Sequence, residues 1–157
     1  MSIRVPPRGT RGVMFPKLPT WLASFFSRLQ RSQFRRKRGG KTGGGVQSLI
    51  LETTGARTGE TRYAMLGFLE ETAGSWLIIA SLAGTARNPG WLHNLAKNPD
   101  ASVEFGDGRR VAVVAETLHG PDLDEAWKRI GADAPEYVKY RSKTDRDIPV
   151  LRLRQRA

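Results

Sequence analysis

Residues 49–69 read Leu49-Ile50-Leu51-Glu52-Thr53-Thr54-Gly55-Ala56-Arg57-Thr58-Gly59-Glu60-Thr61-Arg62-Tyr63-Ala64-Met65-Leu66-Gly67-Phe68-Leu69. Leu49, Ile50 and Leu51 suit a buried strand that ends at Thr54. A loop bounded by Gly55 and Gly59 leads into a second strand, Thr61 to Leu69. Ala73-Gly74 marks the next turn, and Ser75 to Ser81 reads as a third strand through Trp76, Leu77, Ile78 and Ile79. Further on, a strand around Ser102 to Phe105 meets another, Arg109 to Thr117, across an Asp107-Gly108 turn. Ile148 to Leu153 is the last strand. Hairpin-linked strands with a few inserted helices favour an antiparallel barrel over a βαβ sheet.

The inserted helices carry their own signals. Asn88-Pro89 reads as a helix start, with Asn88 as N-cap and Pro89 in the first helical position. That helix presents Trp91, Leu92 and Leu95 and stops near Asn98-Pro99. Leu123, Ala126, Trp127 and Ile130 place an apolar stripe on a second helix, with Gly131 as its expected stop. A short helical piece with Tyr137 and Tyr140 follows.

Charge divides the chain at about residue 45. Eleven of the 26 Lys and Arg, and none of the 15 acidic residues, lie in residues 1–45, so the remaining 15 basic and 15 acidic residues cancel. The net charge of +11 belongs to an arm and not to the body. Residues 1–19, rich in Pro, Gly and Arg, are expected to be irregular. Thr20 is the expected cap of a helix reaching Arg38, with Trp21, Leu22, Phe25, Phe26 and Leu29 at helical spacing. Arg28, Arg31, Arg35, Arg36, Lys37 and Arg38 follow, the pattern of an interfacial helix with a basic rim. Gly39, Gly40, Gly43, Gly44 and Gly45 are the expected flexible linker. The domain division is thus 1–45, arm, and 46–157, barrel. The arm's expected partner is an anionic membrane surface; the Gly-rich linker would alternatively let the arm close as a lid over the protein's own site, and nucleic acid is the rival that the neutral body and the aromatic face disfavour. No stretch reaches the ~20 apolar residues of a membrane span, and Trp21 to Phe26 lacks the features of a signal peptide. The expected location is the cytoplasm, with the arm at the inner face of the membrane. The chain has no Cys, which excludes disulfides and thiolate chemistry, and two His are too few for a His-based metal cluster.

Leu51 to Arg62 resembles the hairpin of the deazaflavin (coenzyme F420)-dependent nitroreductase family. Ala80-Ser81 followed by Arg87-Asn88-Pro89-Gly90-Trp91-Leu92-His93-Asn94-Leu95 is similar to that family's second signature, and Thr144-Asp145-Arg146-Asp147-Ile148-Pro149-Val150 to its third. The resemblance covers residues 46–153, in order. It implies a mainly β (α+β) split β-barrel, FMN-binding-protein-like, with inserted short helices. It further implies reduced coenzyme F420 as hydride donor, with FMN as the alternative that related barrels use, and quinones or nitroaromatics as acceptors.

The residues divide the work of holding such a cofactor. Arg57 and Arg62 flank the Gly-bounded loop, whose Ala56 amide and Thr58 hydroxyl could turn toward a phosphate. Arg87 stands beside a helix N-terminus, where the dipole also favours anions. The same residues could instead form a solvated polar hairpin. By the resemblance, Tyr63, Ala64, Ile79, Ala80, Ser81, Leu82, Gly90, Trp91, Leu92, His93 and Asn94 line the ring slot, and Gly90 lets a flat ring approach the backbone. Trp91 equally suits the core, and His93 suits the surface better than a proton donor. Ser81, Tyr137 and Tyr140 are the expected acceptor contacts, the tyrosines as a lid or as simple packing. No acid–base pair is nominated, because hydride transfer asks chiefly for orientation and exclusion of water. Two positions depart from the family pattern. Leu82 replaces a usual Lys. Ala134 replaces an aromatic found in nitroimidazole-reducing relatives, which opens the pocket to a bulkier acceptor. The expected activity is an F420-dependent quinone or nitro reductase, with a non-catalytic cofactor-binding protein as the alternative.

Overall fold

The structure, a computed structural model, describes residues 3–15, 18–41 and 45–156. Two of the expected linker glycines, Gly43 and Gly44, lie outside the described residues. Seven strands form one sheet: β1 (Ser48–Thr54), β2 (Thr61–Gly67), β3 (Leu69–Thr72), β4 (Ser75–Ile79), β5 (Asp100–Glu104), β6 (Arg110–Thr117) and β7 (Val150–Gln155). Their order is β2-β1-β5-β6-β7-β4-β3, and every pairing is antiparallel. The sheet curls until β2 touches β4, giving the split barrel expected from the sequence. The opening hairpin pairs Thr54 with Thr61 and Leu51 with Ala64. The expected strand 61–69 breaks at Phe68. There the backbone N–H turns to Gln47 O (3.0 Å), and the ring meets Phe105 edge-on at 5.4 Å.

Alternation along the strands sends residues to two apolar clusters. Leu49, Leu51, Ile78, Val103, Val113, Leu151 and Leu153 fill the barrel, which α2 (Gly90–Lys97) closes with Trp91, Leu92 and Leu95. Leu77, Ile79 and Val150 face the other way, against α3 (Gly120–Asp133) and α4 (Glu136–Ser142). The central part of β4 is therefore buried on both faces, which explains its unbroken apolar run.

Three helix signals are corrected. α1 spans Thr20–Arg36, with Pro19 and not Thr20 at the cap position. Pro89, not Asn88, precedes α2. The Asn88 side chain is engaged elsewhere: its amide donates to Pro6 O (2.7 Å) and its oxygen accepts from Arg146 (3.1 Å). α3 runs past Gly131, whose exposed position asks for no special backbone, and stops at Ala134 before Pro135.

The N-terminal segment is not a loose arm. Residues 3–15 form no helix, yet Ile3 is buried in the barrel core. The Arg4 amide donates to Thr117 Oγ1 (2.9 Å), Gly9 to Ala86 O (2.7 Å) and Val13 to Gly84 O (3.0 Å). The C-terminal half of α1 is docked as well. Phe34 is buried, Arg35 forks onto Glu104 (3.0 and 3.2 Å), and the Arg31 guanidinium lies 3.7 Å above the Tyr63 ring. Gly40 O accepts from both the amide and the hydroxyl of Ser48 (2.9 and 2.7 Å). Residues on the two sides of the boundary expected at residue 45 are thus in contact.

Candidate functional site

A cavity of about 280 Å³ opens where several elements meet. Met65, Leu66 and Gly67 of β2, Ile79 of β4, the turn Ser81-Leu82-Ala83, Trp91 of α2, Tyr137 and Tyr140 of α4, and Phe15 surround it. The turn is a 3₁₀ piece, Leu82–Gly84, in which Leu82 (φ 42°) and Ala83 (φ 53°) both take left-handed backbone. Side chains with a Cβ resist that region, so the surroundings must impose it.

Arg146 does so. Its side chain is buried, and its guanidinium donates to five acceptors around the turn. Nε reaches Thr85 O (3.1 Å) and Nη2 reaches Ser81 O (2.9 Å). Nη1 serves Ala80 O (3.0 Å), Asn88 Oδ1 (3.1 Å) and Asp147 O (3.2 Å). Burial pulls this guanidinium below the usual arginine value, though arginine stays protonated. The third sequence signature contains Arg146, but nothing in its spacing reveals a clamp 65 residues away from Ser81.

The tyrosines pack on each other beside the cavity. Their rings meet edge to face, centroids 5.7 Å apart. Tyr137 is buried among Ile130, Ile148 and Val150 while still bordering the cavity, and Tyr140 is half-buried beside it. Ala134 is fully buried beneath this packing, so it forms no part of the cavity wall.

The polar loop is pinned to α2. Ala56 N–H donates to Asn94 Oδ1 (3.0 Å), and Asn94 Nδ2 donates to Thr53 Oγ1 (3.0 Å). Lys97 Nζ donates to Ala56 O (2.8 Å). Lys97 is a cation that the sequence reading passed over, although its i,i+3 relation to Asn94 puts both on one helix face. Within the loop, Glu60 N–H donates to Thr58 Oγ1 (3.2 Å), and Gly59 takes a positive φ of 73°. Arg57 is exposed, and Arg62 lies 3.3 Å from Glu60 on the surface. Arg87 borders a different groove of about 400 Å³, shared with residues 8–15.

The expected ring contacts separate accordingly. Ile79, Ser81, Leu82, Trp91, Tyr137 and Tyr140 come together at the cavity. Ala80 and Leu92 do not; both are completely enclosed by the barrel core and offer a ligand no surface. Tyr63 carries Arg31, and Ala64 packs on the core, so the part of β2 that borders the cavity is Met65 to Gly67. His93 is exposed and Asn94 is the loop brace. A Cβ at Gly90 would meet nothing within 4 Å, so internal packing does not demand glycine there. No cluster of metal-ligating side chains occurs among the described residues.

A curled antiparallel barrel with an aromatic-walled apolar cavity and a cation-bearing hairpin defines the class of split-barrel cofactor proteins. The chain belongs to the F420H(2)-dependent quinone reductase family, whose profile matches residues 26–155, and that family is one of oxidoreductases. An F420H(2)-dependent quinone reductase of Mycobacterium tuberculosis is 39% identical over 116 residues, covering 72% of this chain and 76% of the relative. The solved structure of an F420-H2 dependent reductase (FDR-A) is 36% identical at a TM-score of 0.61, covering 68% of this chain and 92% of that one. The heme storage protein HutZ of Vibrio cholerae is similar in fold alone, with 18% identity, a TM-score of 0.51, and coverage of 83% and 91%.

Proposed function

We propose that this chain binds reduced coenzyme F420 and reduces a quinone by hydride transfer in the cavity below α4. The observation that carries the reading is the cavity wall itself. Apolar Ile79, Leu82 and Trp91 meet the hydroxyl-bearing Ser81, Tyr137 and Tyr140 in one place. A flat tricyclic ring needs such an apolar slot with polar edges. The reduced deazaflavin supplies the hydride; the protein's share is orientation and exclusion of water. Trp91 and Ile79 offer flat and branched apolar surface to a ring. Gly90 leaves backbone open to close approach. Ser81 and Tyr140 can donate hydrogen bonds to an acceptor oxygen, where negative charge develops as the quinone accepts the hydride. Arg57, Arg62 and Lys97 at the hairpin, with Arg87 on the neighbouring groove, supply cations for the anionic phosphate and tail. A nitroaromatic acceptor would use the same wall.

Fluorescence titration tests the cofactor. F420 should bind much more tightly than FMN, and added salt should weaken binding. Arg57→Ala and Arg62→Ala should each cost about 1.5–3 kcal/mol of F420 affinity with little change in stability, because both side chains are exposed. FMN bound as well as F420, or both variants binding like the parent, overturns the assignment. Oxidation of F420H2 by a water-soluble quinone then separates an enzyme from a binding protein.

A second reading concerns lipid. Trp21, Phe25, Phe26 and Leu29 are 72%, 58%, 49% and 44% exposed on α1, an apolar face beside basic residues. No described helix is long and apolar enough to cross a membrane, so the contact would be peripheral. Co-sedimentation with anionic vesicles should succeed for the full chain and fail for Trp21→Ser/Phe25→Ser. Full-length protein left in the supernatant at low salt overturns this reading.

A further inference from the structure

Residues 8–15 cross the protein as a strap, and both ends of its fastening are built for close approach. At one end Asp145 receives the strap: its carboxylate accepts from the amides of Thr10 (2.8 Å) and Arg11 (2.9 Å) and from the Thr10 hydroxyl. Thr144 returns a hydrogen bond to Arg11 O (2.7 Å). Gly9 lies so near that a Cβ there would come within 2.5 Å of Asp145 Oδ1. At the other, a Cβ on Gly12 would collide with the backbone of Thr85 and Ala86. Val13 then pairs with Thr85 in a short parallel bridge and donates to Gly84 O, next to the left-handed turn.

The strap delivers one side chain to the site. Phe15 borders both the 280 Å³ cavity and the 400 Å³ groove, and is the described residue common to the two walls. It is half exposed, at 51%, so no core packing accounts for its position. The strap also precedes residue 26, where the family match begins. This wall is therefore contributed by a segment outside the matched residues.

We propose that Phe15, held in place by the Asp145-clamped strap, is a specificity-determining residue that partitions the cavity from the groove and sets the size of acceptor the site takes. The inference rests on the reading of the cavity as the F420 and quinone site. With Phe15 in place an acceptor has the smaller space. With Phe15 removed, the cavity and the groove join, and a bulky substituent gains an apolar path past Val13 and Met14. Asp145 is a positioning residue here, acting through the strap.

The test compares kcat/KM for a small naphthoquinone and for one bearing a long alkyl chain, at saturating F420H2, in the full chain. Phe15→Ala should shift the ratio toward the bulky quinone by roughly tenfold, the scale of discrimination available to an apolar pocket wall. Phe15→Trp should shift it the other way, and Asp145→Ala should move it in the direction of Phe15→Ala. Far-UV circular dichroism of each variant should match the parent, which separates a misfolded variant from an altered wall, and F420H2 is kept saturating for each variant so that any change in cofactor affinity does not enter the ratio. A parent that binds F420 and turns over, with an unchanged ratio in all three variants, overturns this inference alone. A parent that does not bind F420 overturns the cofactor reading and this inference with it.

Discussion

Arg146 is a buried cation whose partners are carbonyls and one side-chain amide, with no carboxylate pair among the described residues. Such a group is tolerated because the planar guanidinium has five N–H donors and reaches separate acceptors at fixed angles. Here the acceptors belong to a turn whose Leu82 and Ala83 would not otherwise hold left-handed backbone. Arg146→Leu strands those acceptors in an apolar setting, at a cost of about 3 kcal/mol or more by urea denaturation. Arg146→Lys should recover little of this, since an ammonium offers three donors at one point. The lysine variant should also lose F420 affinity as the turn relaxes. Parent-like stability in both variants would mean that the turn holds itself.

At the scale of elements, the strap depends on a carboxylate whose titration is displaced. The Thr10 hydroxyl, then the Arg11 and Thr10 amides, favour the ionised form and lower the Asp145 pKa from 3.8 to about 2. A depressed carboxylate pKa stabilises the attached state above the ordinary value, and that contribution is lost as pH falls through the folded value. The strap should therefore stay fastened from neutral pH down to the ordinary carboxylate range and release as pH falls toward 2. The Thr10 and Arg11 amide resonances report this directly, and a midpoint at 3.8 or above would show that the clamp does not hold. The same element logic applies to α1. Two of its four arginines are engaged with the barrel, Arg31 on Tyr63 and Arg35 on Glu104. The basic rim read from the sequence is thus partly a docking device, and any lipid contact would present the barrel in a defined orientation.

For the whole molecule, the charge boundary and the packing boundary differ. Residues 1–45 hold the excess charge, yet Ile3 and Phe34 from that segment are 8% and 3% exposed. Burying one such side chain is worth about 1.5–3 kcal/mol. Deleting residues 1–45 should therefore lower the Tm of the barrel by several degrees or more, and not leave an intact body. A truncated chain that melts with the parent would return the segment to the status of a detachable arm. Surface substitutions such as Trp21→Ser are accordingly the cleaner probe of lipid binding.

The sequence by itself determined the barrel. Period-2 apolar runs, Gly-bounded turns and the Asp107-Gly108 hairpin are local signals, because strand alternation and turn chemistry are decided within a few residues. It also marked the cavity's Ile79, Ser81 and Trp91 through the resemblance to a known family, and Tyr137 and Tyr140 through their spacing on one short helix. The tertiary structure alone decided what depends on contacts across long separations. Whether Ala80 and Leu92 face a ligand or the core, and which stretch of β2 borders the cavity, follow from how the sheet curls. That Asn88 serves Pro6 and Arg146 instead of capping α2 follows from a partner 82 residues away. The strap could be read only as the alternative of an arm closing over the site, with none of its contacts. A Pro-, Gly- and Arg-rich segment has no periodicity of its own, and its order comes from Asp145, 135 residues distant from Thr10. Local chemistry writes elements into a sequence, whereas the assignment of a flexible-looking segment to a site depends on partners that only the folded chain brings near.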